Sequence, residues 1–210
     1  MRKPILAALC LTVLAPGAAF AGTTESYDFD GFDALDISAG VDVAYESGPE
    51  YSVIIDFEQG GPNDMKLRQN GSRLYIARKA TSGWGDKVRA KVRVTSPHLG
   101  EIEASSGSSI RATGIDSDIL VLDASSGASI KAEGKCGSLK IVANSGGSAS
   151  AKDVVCQKVA ANASSGGSAA AYASAEAKSH TSSGGSVDIY GDPSDREANR
   201  PVSGGSTTFH

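Results

Sequence analysis

The residues able to do chemistry here are three histidines, three cysteines, one tryptophan, and a spread of carboxylates and serines. His98, His180 and His210 are far apart, and none stands in a His-x-x-x-His pattern, so zinc finds no usable spacing. Serine nucleophiles of the elbow type need Gly-x-Ser-x-Gly, which does not occur. Calcium-binding nonapeptides need aspartates after paired glycines, and the Ser-Gly-Gly-Ser segments lack them. Polysaccharide cleavage needs carboxylates converging on one face. Asp116, Asp118, Asp123, Glu133 and Asp153 read as non-equivalent positions of a repeat, with Asp116 and Asp118 in one solvated connection after Gly114-Ile115. The expectation is a protein without catalytic residues, metal or cofactor. A polysaccharide lyase or hydrolase is the alternative.

Trp84, in Ser82-Gly83-Trp84-Gly85-Asp86, is the one large aromatic platform. Exposed, it would stack on a sugar ring; buried, it would cap the first coils, and both readings stay open. Cys136 and Cys156 are ten residues before Gly146 and Gly166, the same place in consecutive repeats.

The elements that must position these residues follow from the repeat. Ser-Gly recurs at 106–107, 126–127, 145–146, 165–166, 183–184 and 203–204, with glycine steps of 20, 19, 20, 18 and 20. A second serine follows each glycine by two: Ser109, Ser129, Ser148, Ser168, Ser186 and Ser206. The flanks alternate with the strand period, as in Leu120, Leu122, Ala124 and Ile130, Ala132. A unit so short cannot bury its apolar side alone; stacked copies can. The fold class is therefore all-β, a parallel β-helix (β-solenoid) with coils of roughly twenty residues. A flexible Gly/Ser linker would not carry Ile, Leu and Val in register. Equivalent residues of stacked coils sit about 4.8 Å apart, within disulfide reach, so a structural Cys136–Cys156 bridge is expected. The serines read as turn chemistry, with hydroxyls bonding local backbone, before they read as a ligand surface.

The start of the chain reads as a signal peptide. Arg2 and Lys3 precede the short apolar run Ile5–Leu14, and Ala19-Phe20-Ala21 offers a cleavage site. Leu9 before Cys10 argues against a lipid anchor, and no membrane span is expected. Loss of Arg2 and Lys3 takes the balance from 20 basic and 24 acidic residues to 18 and 24, a net −6. Such a surface does not attract nucleic acid.

Residues 27–100 are strand-rich with looser periods, including a hairpin around Asn70-Gly71. Their order is Phe32-x-x-Leu35-x-Ile37, Gly40-Val41-x-Val43, Gly71-x-x-Leu74-x-Ile76, then Val92-x-Val94-x-x-Pro97-x-Leu99-x-x-Ile102 and the Ser106-Gly107-Ser108 repeats. This order resembles the head GIN domain of exported bacterial proteins of autotransporter-adhesin type, over roughly residues 30–208. The resemblance implies a right-handed β-helix and an adhesin-like role. Three segments are expected: a leader over 1–21, the strand-rich part of the domain over 22–100, and the regular β-helix over 101–210. The functional expectation is an exported, non-enzymatic envelope or surface protein in the periplasm or outside the cell. It would present an extended surface to an envelope glycan or another surface protein, with polysaccharide binding or processing as the alternative.

Overall fold

The computed structural model describes residues 22–79, 88–199 and 203–210. The expected leader and Trp84 lie outside them. The strands in chain order are β1 (Thr23–Tyr27), β2 (Ala34–Ser38), β3 (Asp42–Ser47), β4 (Ser52–Gln59), β5 (Met65–Asn70), β6 (Arg73–Arg78), β7 (Arg89–Ser96), β8 (Glu101–Ala104), β9 (Ser109–Ala124), β10 (Ser129–Ala143), β11 (Ser148–Ala163), β12 (Ser168–Thr181), β13 (Ser186–Tyr190), β14 (Asp195–Ala198) and β15 (Ser206–Phe209). They build a β-solenoid of about five turns.

Stacking makes sequence-equivalent residues neighbours. Ile110, Ile130, Ala149, Ala169 and Val187 align in one inward column, and Leu122, Ile141 and Ala161 in another. All of these side chains are buried. The alternation places every second side chain inward, and parallel pairing satisfies the backbone of each coil through the next.

The first half joins the same stack more fully than its looser periods suggest. β2 pairs in parallel with both β6 and β8, and β3 with both β7 and β9. The β2–β3 coil therefore sits between coils that follow it in the chain. Leu35 aligns with Leu74 and Ile102, and Val43 with Val92 and Ile110. Antiparallel strands close this end: β4 on β7, β1 on β4, and β5 on β6 through the Gly71 turn. Such additions cover the backbone donors and acceptors of a terminal coil.

The bends at the Ser-Gly pairs form one column. Ser106 and Gly107 have φ of 53° and 70°, and the Ser108 amide donates to the Ser105 carbonyl at 3.2 Å. Two successive left-handed residues closed by this bond make a two-residue primed turn. The same φ pairs recur through Ser183-Gly184, and Ala39-Gly40 adds an earlier member with φ of 59° and 68°. The turn column is hydrogen-bonded along its length: the Gly107 amide donates to the Ser126 carbonyl at 3.1 Å, and Gly127 to Ser145 at 3.2 Å. A serine at the first left-handed position is strained, whereas asparagine tolerates that region. Ser126→Asn should therefore raise the unfolding free energy by about 0.5 kcal/mol, checked by urea denaturation. An unchanged or lower midpoint would contradict it.

Cys136 and Cys156 stand opposite each other in β10 and β11 and are joined by a disulfide, with Cα atoms 4.6 Å apart.

Candidate functional site

The solenoid exposes its chemistry as parallel rows on open sheet faces. One row holds Ser109, Ser129, Ser148, Ser168, Ser186 and Ser206, aligned coil by coil and preceded by Asp42. At the neighbouring edge, Ser106, Ser126, Ser145, Ser165, Ser183 and Ser203 are all exposed. Here the sequence reading needs correction. The hydroxyls of Ser106, Ser126, Ser145, Ser165 and Ser183 bond no local backbone group among the described residues; the backbone carbonyls carry the bonding instead. Positive φ turns the peptide along the axis and leaves the side chain in solvent. These hydroxyls are free to meet a partner.

The carboxylates also differ from expectation. Glu133 and Asp153 are equivalent after all, because they pair in register between β10 and β11. A register shift between Lys131 and Glu133 hides this from simple counting. Both are engaged: Lys131 reaches Glu133 at 3.4 Å and Asp153 at 3.8 Å, and Arg111 pairs with Glu133. Lys135 pairs with Asp116 at 3.0 Å.

A second carboxylate row escaped the sequence reading. Asp36, Glu103 and Asp123 align on β2, β8 and β9, one coil apart, with Tyr75 of β6 in register beside Asp36. The signal was present: each acid precedes its turn serine by two, in Asp36-Ile37-Ser38, Glu103-Ala104-Ser105 and Asp123-Ala124-Ser125. Arg73 pairs with Glu101 at 2.6 Å and Glu103 at 3.0 Å, and the Arg68 guanidinium lies 4.4 Å from the Tyr75 ring centroid. Burial raises the carboxyl of Asp36, partly offset by Arg73 and Arg68. Burial likewise raises Glu103, with Asp36 adding like charge. It raises Asp123 against the pull of Lys140.

These shifts set the pH dependence of stability. An acid raised in the folded state binds its proton more tightly folded than unfolded, so protonation favours the fold. The gain begins as pH falls through the raised values and is complete below about pH 4, the ordinary carboxylate range. Glu58 and Glu176 are held low by hydrogen bonds from Lys91 and Lys178; the stability they contribute is lost as pH falls through their lowered values. The melting temperature should therefore rise as pH falls from neutrality toward the ordinary carboxylate range near about pH 4, and fall below it. A steady decline from neutrality would contradict this.

Among the described residues the histidines do not converge with other polar groups into a site. His98 contributes its carbonyl to Ser96 Oγ at 2.7 Å, His180 is exposed on β12, and His210 stacks on Tyr190 with centroids 4.5 Å apart while its Nε2 lies 3.0 Å from Asp188. Arg78 closes the start of the turn column, donating to the carbonyls of Ala39, Gly40 and Val88. Its Nε supplies Ala39 with the donor that a preceding coil would give.

Comparisons with known proteins agree with this architecture. A crystal structure of a "putative adhesin" from Bacteroides fragilis NCTC 9343 superposes with a TM-score of 0.65 at 15% identity, covering 91% of this chain and 98% of that one. A "putative adhesin" from Parabacteroides merdae ATCC 43184 gives 0.53 at 16% identity, covering 90% and 95%. At these identities the likeness shows the fold alone. No curated protein matches the chain. The family model described as "Putative auto-transporter adhesin, head GIN domain" matches residues 31–193, and the chain belongs to that family.

Proposed function

We propose that this protein is exported and acts without catalysis, as an adhesin-like scaffold whose outer faces bind another component of the cell envelope or its surroundings. The observation carrying this reading is the in-register array of free serine hydroxyls on an open, flat edge. Hydroxyls repeating once per coil suit a long partner with a repeat of its own, and an open face suits contact better than turnover. Export is supported by the leader pattern of residues 1–21, which would be removed, and by the disulfide, a bond at home in oxidising compartments. Among the described residues no helix is long and apolar enough to cross a membrane. The destination is the periplasm or the cell surface.

The Asp36–Glu103–Asp123 row favours a second reading, a polysaccharide-binding or polysaccharide-processing protein of the envelope. The test is a pulldown on isolated cell-wall material together with a glycan array, using the mature protein and its Trp84→Ala variant. The scaffold reading expects saturable retention and intact glycan. Released sugar fragments would favour processing, and no retention on any surface would overturn both. Equal retention of the variant would remove Trp84 from the contact.

A further inference from the structure

A shallow groove of about 190 Å³ opens on the outer face of β5, β6 and β2. Lys66 and Arg68 form one wall, Tyr75 and Ala77 the floor, and Asp36 and Ser38 the other wall. The row runs on through Glu103 and Asp123, one coil further at each step. At the usual strand spacing, Tyr75 to Asp123 covers about 14 Å. Ser38, Ser105 and Ser125 stand two residues after the three acids, so no bulky side chain shields them from that side.

Asp36 and Asp123 are half-buried, and neither accepts a hydrogen bond or joins an ion pair among the described residues. Half-burying a carboxylate without a donor costs stability. An uncharged residue would avoid that cost, as Val142 and Asn162 do further along the same column. Glu133, Asp153 and Asp116 each have a cation in reach. Asp36 and Asp123 differ from these three in leaving their carboxylates to water, where a ligand hydroxyl could take its place.

Charge decides what would satisfy them. Asp36, Glu101, Glu103 and Asp123 are matched on this face by Lys66, Arg68, Arg73 and Lys140. A polyanion would meet the acids and a polycation the bases. A neutral chain of hydroxyl pairs meets neither penalty: it donates to the carboxylates and accepts from the cations. We infer that the row Tyr75–Asp36–Glu103–Asp123, with Lys66 and Arg68, binds about three consecutive units of a neutral polysaccharide lying along the solenoid axis. This deepens the polysaccharide-binding reading proposed above, on which it rests, by naming the charge class of the glycan and the residues that would hold it.

The test titrates the isotope-labelled mature protein, disulfide intact, with maltotriose, cellotriose and triacetylchitotriose, and separately with trigalacturonate and spermidine. At least one neutral trisaccharide should shift the amide resonances of residues 34–38, 73–77, 101–105 and 121–125. Asp36→Asn with Asp123→Asn should weaken that binding by about tenfold or more while raising the melting temperature, which separates lost contact from lost fold. Binding by trigalacturonate or spermidine alone, shifts confined to the serine edge, or no neutral trisaccharide bound at millimolar concentration would each overturn the inference. Retention on cell-wall material would survive those outcomes, so the broader proposal fails separately.

Discussion

Replacing both bridge residues, Cys136→Ala with Cys156→Ala, should lower the unfolding free energy by about 3 kcal/mol. That corresponds to a fall of roughly 10 °C in melting temperature. The two residues are 20 apart and occupy the same position of adjacent coils, so the bond closes one full turn of the solenoid. In the unfolded chain that closure removes loop entropy; in the folded chain the residues already lie together. The position sharpens the effect. A solenoid is held by nearest-neighbour interfaces, and β10–β11 is an internal one. Melting the wild-type protein under reducing conditions should reproduce the double variant. Equal stability with and without the bond would contradict the assignment.

The second large effect is at Gly167. Its φ is not in the left-handed region, so its role is space rather than conformation. A Cβ there would stand 2.1 Å from the Ala143 carbonyl oxygen and 2.9 Å from the Asn144 amide nitrogen of the preceding coil. The contact recurs at Gly147 and Gly185 against the Ala124 and Ala163 carbonyls, whereas Ser108 and Ala128 hold a buried side chain at the same turn position, so coils can be respaced to admit one at a cost. Gly167→Ala should cost about 2 kcal/mol, within the range for overpacking, because two coils must be respaced. Gly166 supplies the control: its φ is +73° with nothing near a new Cβ, so Gly166→Ala should cost only the left-handed penalty of about 1 kcal/mol. Chemical denaturation of the two variants should rank them in that order, and the reverse ranking would show that conformation outweighs packing.

Much of this was legible because parallel stacking converts sequence period directly into neighbourhood. Ile110, Ile130 and Ala149 are equivalent by counting and adjacent in space. The same logic gave the cysteine bridge. Counting failed where the period breaks. The shift after Lys131 brought Glu133 opposite Asp153, although plain offsets separated them. The insertion of β4 to β7 between the β2–β3 coil and β8 concealed that Asp36 belongs to the column of Glu103 and Asp123. No local pattern announces that a coil will be sandwiched between two later ones. Side-chain direction was the other blind spot. Ser126 looks like an ordinary turn serine, and only its φ of 51° tells that its hydroxyl points away from the backbone it was expected to bond. Gly167 follows the turn pair with no left-handed φ of its own, and its constraint comes from Ala143 in another coil, which no local pattern announces.

The surface rows carry functional weight only if the coils are stacked in register over the whole repeat. Pulsed electron–electron spin resonance between labels at Ser109→Cys and Ser206→Cys, with the native bridge oxidised, measures this most directly. The two positions lie in one outward row, five coil steps apart. The account predicts a narrow distribution centred near about 24 Å plus the reach of the labels. A broad distribution, or one peaked far from that distance, would contradict it.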